Sequence, residues 1–320
     1  MPESIVVTGG AGFIGSHLVD RLLAAGHRVT VIDNFNDFYD PAIKRVNCRR
    51  HLEQAGYRLV EGDIRDPNAV ERCFADGPVG EVIHLAAMAG VRPSIKNPVL
   101  YQEVNLVGTM NVLEACRRHG VGRYLFASSS SVYGNNRKVP FSEDDSVDHP
   151  ISPYAATKKA GELMAYTYHH LYGFPTACLR FFTVYGPRQR PEMAIHLFTA
   201  KIWRGEEITM FGEGDSRRDY TFIDDIVDGI MAVRQSRFDY EILNLGRSDT
   251  VTLRDLISKI EQKLGKRAIM RKLPPQPGDV DQTYADITRA SRLCGFAPKV
   301  SIDDGLMRFA RWYINKQEQQ

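Results

Sequence analysis

The chain has 320 residues, with 41 Lys and Arg against 39 Asp and Glu, and 43% of it is hydrophobic. These are the proportions of a globular protein, and they exclude a disordered chain, a collagen-like repeat and a disulfide-built miniprotein. A net charge of +2 gives no electrostatic basis for nucleic-acid binding or a polybasic membrane patch, and no apolar run approaches the roughly 20 residues that span a bilayer.

Short apolar runs alternate with amphipathic stretches through the first half. Ser4–Thr8 reads as a buried strand, and Phe13–Ala25 follows with helical spacing, closed by Gly26. Further strands are expected at Arg28–Asp33, Tyr57–Glu61, Glu81–His84, Arg123–Ala127 and Thr176–Phe181. Long helical patterns cover Pro98–His119 and Pro153–Leu171. Such alternation predicts βαβ units, an α/β class and a doubly wound parallel sheet with its ligand crevice at the strands' carboxyl ends. After Gly186 turn signals crowd in, so 1–185 is expected to bind a dinucleotide and 186–320 to form a smaller, interwoven substrate region.

The segment Thr8–Gly15 sits between the first strand and the first helix and satisfies GxGxxG through Gly10, Gly12 and Gly15, or GxxGxxG from Gly9. Glycines let backbone approach a pyrophosphate, and the helix start at Phe13, Ile14 and Gly15 offers free N–H groups to it. Asp33 ends the next strand at the spacing expected of a ribose-binding acid, with Asn34 beside it. Its charge would repel a 2′-phosphate, so NAD is preferred to NADP. Asp63, with Ile64, follows the third strand. It suits either the adenine edge or a cap for the helix near Pro67.

Tyr154 and Lys158 stand four apart, on one face of a helix. A neighbouring ammonium favours the phenolate and so turns a phenol into a usable base. Ser129 stands 25 positions before Tyr154, just past the fifth strand, where its hydroxyl can bind the same substrate oxygen.

The glycine loop, His84-Leu85-Ala86-Ala87, Ser128–Gly134, Tyr154–Lys158 and Arg218–Asp225 together resemble the extended short-chain dehydrogenase/reductases of the nucleotide-sugar epimerase/dehydratase group. That resemblance implies a Rossmann-type fold, tightly bound and recycled NAD, and catalysis by Tyr154 and Lys158 with help from Ser129. It places Leu85, Ala86, Ala87 and Asn105 near the cofactor, and Arg218 and Asp279 on the nucleotide. Ser130 and Ser131 stand where dehydratases of the group carry an acid pair, which points to an epimerase. Phe181–Met193, Ala89–Ser94 and Asn36–Pro41 resemble the UDP-glucuronate 4-epimerase branch. The implied reaction is C4 epimerisation of a UDP-sugar through a 4-keto intermediate, UDP-glucuronate giving UDP-galacturonate. UDP-glucose/UDP-galactose 4-epimerase and UDP-glucuronate decarboxylase are the alternatives.

Thr183 and Arg190 are the candidates to hold a C6 carboxylate, since a guanidinium offers a charge-assisted, two-pronged contact; Ser130 or Ser131 can add a donor. Arg92, Arg190, Arg217 and Arg218 are candidates to gather around one anionic nucleotide. The helices 98–119 and 153–171 resemble the group's homodimer interface. No metal is expected, because adjacent His169 and His170 point about 100° apart on a helix. No secretory leader is expected behind Met1, and five cysteines without a CxxC pair suit reduced thiols in a cytoplasm.

Overall fold

The computed structural model describes residues 3–274 and 282–318. The chain forms two compact units, and neither is a continuous piece of sequence. The first holds 1–135, 143–181 and 230–243; the second holds 136–142, 182–229 and 244–320.

The first unit is built on a parallel sheet. Its strands are β1 (Ser4–Thr8), β2 (Arg28–Asp33), β3 (Tyr57–Glu61), β4 (Glu81–His84), β5 (Tyr124–Ser129) and β6 (Thr176–Phe181). The order across the sheet is β3-β2-β1-β4-β5-β6, with Tyr240–Leu245 at the β6 edge, and every pairing from β3 to β6 is parallel. β4, β5 and β6 are buried along their whole length. A parallel sheet covered on both faces requires such uninterrupted burial. The order turns back at β1, which lies between β2 and β4, and the crevice beyond a reversal of this kind is where such folds bind ligands.

Two elements depart from expectation. β5 runs on through Ser128 and Ser129, because these serines stay in register with Arg180 and Phe181 of β6. Ser129 therefore ends the strand rather than following it. The helix over 98–119 is not uniform. Pro98–Gln102 is α-helical, Glu103–Gly108 is a π turn, and Thr109–Arg118 is α-helical again. The wider turn lets the Asn105 amide leave the helix surface. Its Oδ1 accepts from Met88 N at 2.8 Å, and its Nδ2 donates to Met88 O and Thr157 Oγ1, both at 3.0 Å. Single π turns of this kind concentrate at functional sites.

The second unit pairs Thr183–Tyr185 with Tyr220–Phe222 and Glu207–Phe211 with Ile269–Leu273, both parallel, and Arg217–Arg218 with Val251–Thr252 antiparallel. Asp219, fully buried, ties it together by accepting from the backbone N–H groups of Arg247, Ser248 and Ala285 and from the Thr221 hydroxyl. Asp225 does the same for the N–H groups of Lys299 and Val300. All five cysteines are free thiols. No helix among the described residues is long and apolar enough to cross a membrane.

Candidate active site

The carboxyl ends of β1, β2, β4 and β5 deliver Thr8, Asp33, His84 and Ser129 to one rim of the sheet. After Thr8 the chain turns at Gly9, whose φ is +69°, and a Cβ there would meet Ala86 N at 2.8 Å. A Cβ on Gly15 would strike the Gly9 carbonyl and stand 2.7 Å from Gly10 Cα. Only glycine permits this closure. The helix Phe13–Ala24 starts from Gly12 with no side-chain cap on its first N–H groups. A cradle with this free anion-binding end fits a dinucleotide pyrophosphate.

The rim around the cradle is tightly bonded. Thr8 Oγ1 receives Ala86 N at 3.0 Å and lies 2.6 Å from His84 Nδ1; His84 Nε2 lies 2.9 Å from Thr109 Oγ1. Burial drives the His84 imidazole down to about 3, so it is neutral and serves as a hydrogen-bond bridge. Leu85 N donates to Thr8 O at 3.2 Å. Asp33 is buried, and its Oδ1 accepts from Phe35 N and Lys44 Nζ.

Asn34 and Asp63 meet directly, Nδ2 to Oδ2, at 2.9 Å. Burial alone would raise Asp63, but hydrogen bonds from Arg65 and Asn34 outweigh it and hold the carboxyl below its usual range. The cap on the helix Pro67–Glu71 is Asp66, not Asp63. Ile64 is buried and closes against Gly108 of the π turn.

Tyr154 and Lys158 rise from the helix Pro153–Tyr172, which Ser152 caps by accepting Ala155 N. Tyr154 is half-buried, its ring edge-on to Tyr101 at 6.2 Å. The Lys158 ammonium is buried, donates to Ala127 O at 2.7 Å and lies 5.1 Å over the Phe126 ring. Burial lowers it to about 7, partly offset by the Glu162 charge. Ser129 caps the short turn Ser130–Tyr133, accepting Ser131 N and donating to Ser131 Oγ, each at 3.1 Å. Ser130 and Ser131 are half-buried.

Glu162, which sequence spacing did not single out, is wholly buried. It accepts from Ser128 Oγ and, through both carboxylate oxygens, from Arg180. Lys44 was equally invisible, because a lysine on an amphipathic helix reads as solvent-facing. Ala87 lies on the β4 loop, and Arg92 is exposed on the helix Val91–Lys96.

In the second unit Thr183 is half-buried and its N–H donates to Asp219 O. Arg190 pairs with Glu192 at 3.0 Å. Arg217 is bound to Thr250, and Arg218 donates to the Arg217 carbonyl. Asp279 lies outside the described residues.

A family model described as GDP-mannose 4,6 dehydratase matches residues 6–309. A UDP-glucuronate 4-epimerase of Arabidopsis thaliana is 44% identical, over 97% of this chain and 76% of its own length. Among solved structures, a UDP-glucuronic acid 4-epimerase of Bacillus cereus in complex with UDP-glucuronic acid and NAD superposes with a TM-score of 0.92 at 36% identity, covering 98% of this chain and 99% of that one. A UDP-glucose 4-epimerase of Thermotoga maritima with UDP-glucose gives 0.91 at 34%, with the same coverage.

Proposed function

The chain belongs to the GDP-mannose 4,6 dehydratase family, and from that premise we propose that it is an NAD-dependent UDP-sugar 4-epimerase acting on UDP-glucuronate. The observation that carries this is the buried Lys158 ammonium, fixed on the Ala127 carbonyl one helical turn from Tyr154. It supplies the positive charge a phenol needs to act as a base.

NAD held by the glycine cradle would supply the hydride acceptor and donor for C4, so that hydride could leave one face and come back to the other. The chain's residues do the rest. Tyr154 removes the C4 hydroxyl proton and later restores it. Ser129, held by Ser131 N, turns its hydroxyl from Ser131 Oγ to donate to the same oxygen. The glycine cradle holds the pyrophosphate, Asp33 and Asn34 the adenosine ribose, Asp63 the adenine edge. Leu85, Ala86, Ala87 and Asn105 fix the wall beside them. Arg218 takes the substrate's diphosphate.

Ser130 and Ser131 offer hydroxyls where an elimination needs an acid and a base, which favours epimerisation within this family. Glucuronate is favoured over glucose by Thr183 and Arg190. Arg190 would exchange Glu192, a half-exposed carboxylate two residues away, for the C6 carboxylate of the sugar. Fixing that carboxylate keeps its C–C bond out of line with the π system of the 4-keto group and so suppresses loss of CO₂.

Incubation with UDP-glucuronate and, separately, UDP-glucose tests the reading. UDP-galacturonate from the first, with little turnover of the second, is expected. UDP-pentose with CO₂, or preference for UDP-glucose, refutes it.

We infer that the working form is a homodimer. Val99, Val107, Leu163, Tyr166 and Leu171 are each about half exposed or more on the two helical stretches 98–118 and 153–172, where a second copy would cover them. Light scattering at micromolar concentration is expected to give twice the 36.1 kDa chain mass; Leu163→Glu should give the monomer.

A further inference from the structure

The helix Pro41–Arg49 turns two polar side chains inward. Lys44 and Asn47 are both buried, one turn apart on the same face. Lys44 Nζ donates to Asp33 Oδ1 at 3.2 Å and to Asn36 Oδ1 at 3.5 Å, and lies 5.3 Å over the Tyr39 ring. Asn47 Nδ2 donates to the carbonyl of Ala11, inside the glycine loop, at 3.0 Å. One helix thus fastens both the acid at the end of β2 and the loop at the end of β1.

The helix is itself anchored. Asp40 caps its start by accepting Ala42 N. Just past its end, Arg50 and His51 bind Asp20 of the helix Phe13–Ala24. The linking loop is stiffened by side chains that accept backbone N–H groups two residues on, Asn34 from Asn36 and Asn36 from Phe38.

Two consequences follow for the ribose end of the cofactor site. Both hydrogen bonds on Asp33 end on Oδ1, so Oδ2 is the oxygen left to receive a diol. Asp33 and Lys44 also sum to no net charge, so the place a 2′-phosphate would occupy is not bare negative. Discrimination against that phosphate then rests on Asp33 holding Lys44. Remove the acid and Lys44 becomes a phosphate ligand.

We propose that Lys44 is a positioning residue that sets both NAD retention and the NAD-over-NADP preference through Asp33, with Asn47 as a second fastening on the glycine loop. This rests on the NAD-binding part of the function proposed above.

The test is equilibrium binding of NAD and NADP to nucleotide-stripped protein, with the dissociation rate of NAD, so turnover is not the readout. Lys44→Met is expected to weaken NAD by about 10- to 100-fold, the loss of one charge-assisted hydrogen bond, and Lys44→Arg to recover most of it. Asn47→Ala should speed NAD release. Asp33→Ser should lower the ratio of NADP to NAD dissociation constants at least about tenfold. The double variant Asp33→Ser with Lys44→Met should lose that gain.

Unchanged NAD binding in Lys44→Met, or equal ratios in the Asp33→Ser single and the double variant, overturns the proposal. If Lys44→Met fails to fold because it strands a buried carboxylate, the double variant, which has no carboxylate to strand, still decides. Wild-type protein that binds no NAD overturns the cofactor assignment itself, and this proposal with it.

Discussion

Replacing Lys158 by Met separates what this residue does for the fold from what it does for the chemistry. Burial lowers the ammonium from its ordinary 10.5 to about 7. The unfolded chain therefore binds more protons than the folded one between those values. The stability that Lys158 withholds is fully withheld below about 7 and restored as pH rises toward 10.5. At about 1.4 kcal/mol per pH unit the interval amounts to about 5 kcal/mol. Met fills nearly the same space without the charge. It removes the ammonium donor from the Ala127 carbonyl, at a cost of about 1–3 kcal/mol. The variant should then be about 2–4 kcal/mol more stable than wild type near pH 6, and the difference should shrink as pH rises and reverse above about pH 10. Urea unfolding of both nucleotide-free proteins at several pH values reads this out, alongside turnover, which should fall to background. A variant less stable by the same amount at every pH would refute it, since burial of charge could not then be what depresses the ammonium.

Tyr154→Phe should lower kcat by about 10²- to 10⁴-fold while the purified protein keeps its NAD, measured by turnover and by nucleotide released on denaturation. Gly15→Ala, whose Cβ would strike the Gly9 carbonyl, should yield protein without bound nucleotide and with a lowered Tm. Glu162→Gln leaves Arg180 buried with half its partner and should cost about 3–5 kcal/mol in urea unfolding. Arg190→Ala should raise KM for UDP-glucuronate and release UDP-pentose as a by-product; unchanged affinity and product would remove Arg190 from the substrate site.

The sheet was legible because its strands are short, uninterrupted apolar runs bounded by turn residues. Five of the six expected strands have the bounds the runs predict. The apolar run Arg123–Ala127 lies one residue early at its start and two short at its end, because Ser128 and Ser129 look like loop residues and what makes them strand is distant, namely register with β6 and the buried Glu162. The glycine loop, Asp33, Tyr154 and Lys158 were legible because each is tied to an element boundary or a helical spacing. Lys44, Asn47 and Glu162 were not, because what matters about them is a partner 11 to 36 residues away in sequence. Local pattern cannot tell such a residue from a solvated one. The passages of the chain between units, at 136–142 and 230–243, likewise leave no mark in composition.

The π turn at Glu103–Gly108 amounts to one residue more than a regular helix needs. A single-residue deletion there would make the helix more regular and, by propensity alone, more comfortable. It would also swing everything on one side of the cut by about 100°. Asn105 or Thr109 would then lose its station, the first on Met88 and Thr157, the second on His84. The stretch is thus a place where length matters more than composition. Substitutions along its exposed side should be absorbed, whereas an insertion or deletion of one residue should be felt in the loop after β4, whose Ala86 backbone lies against Gly9.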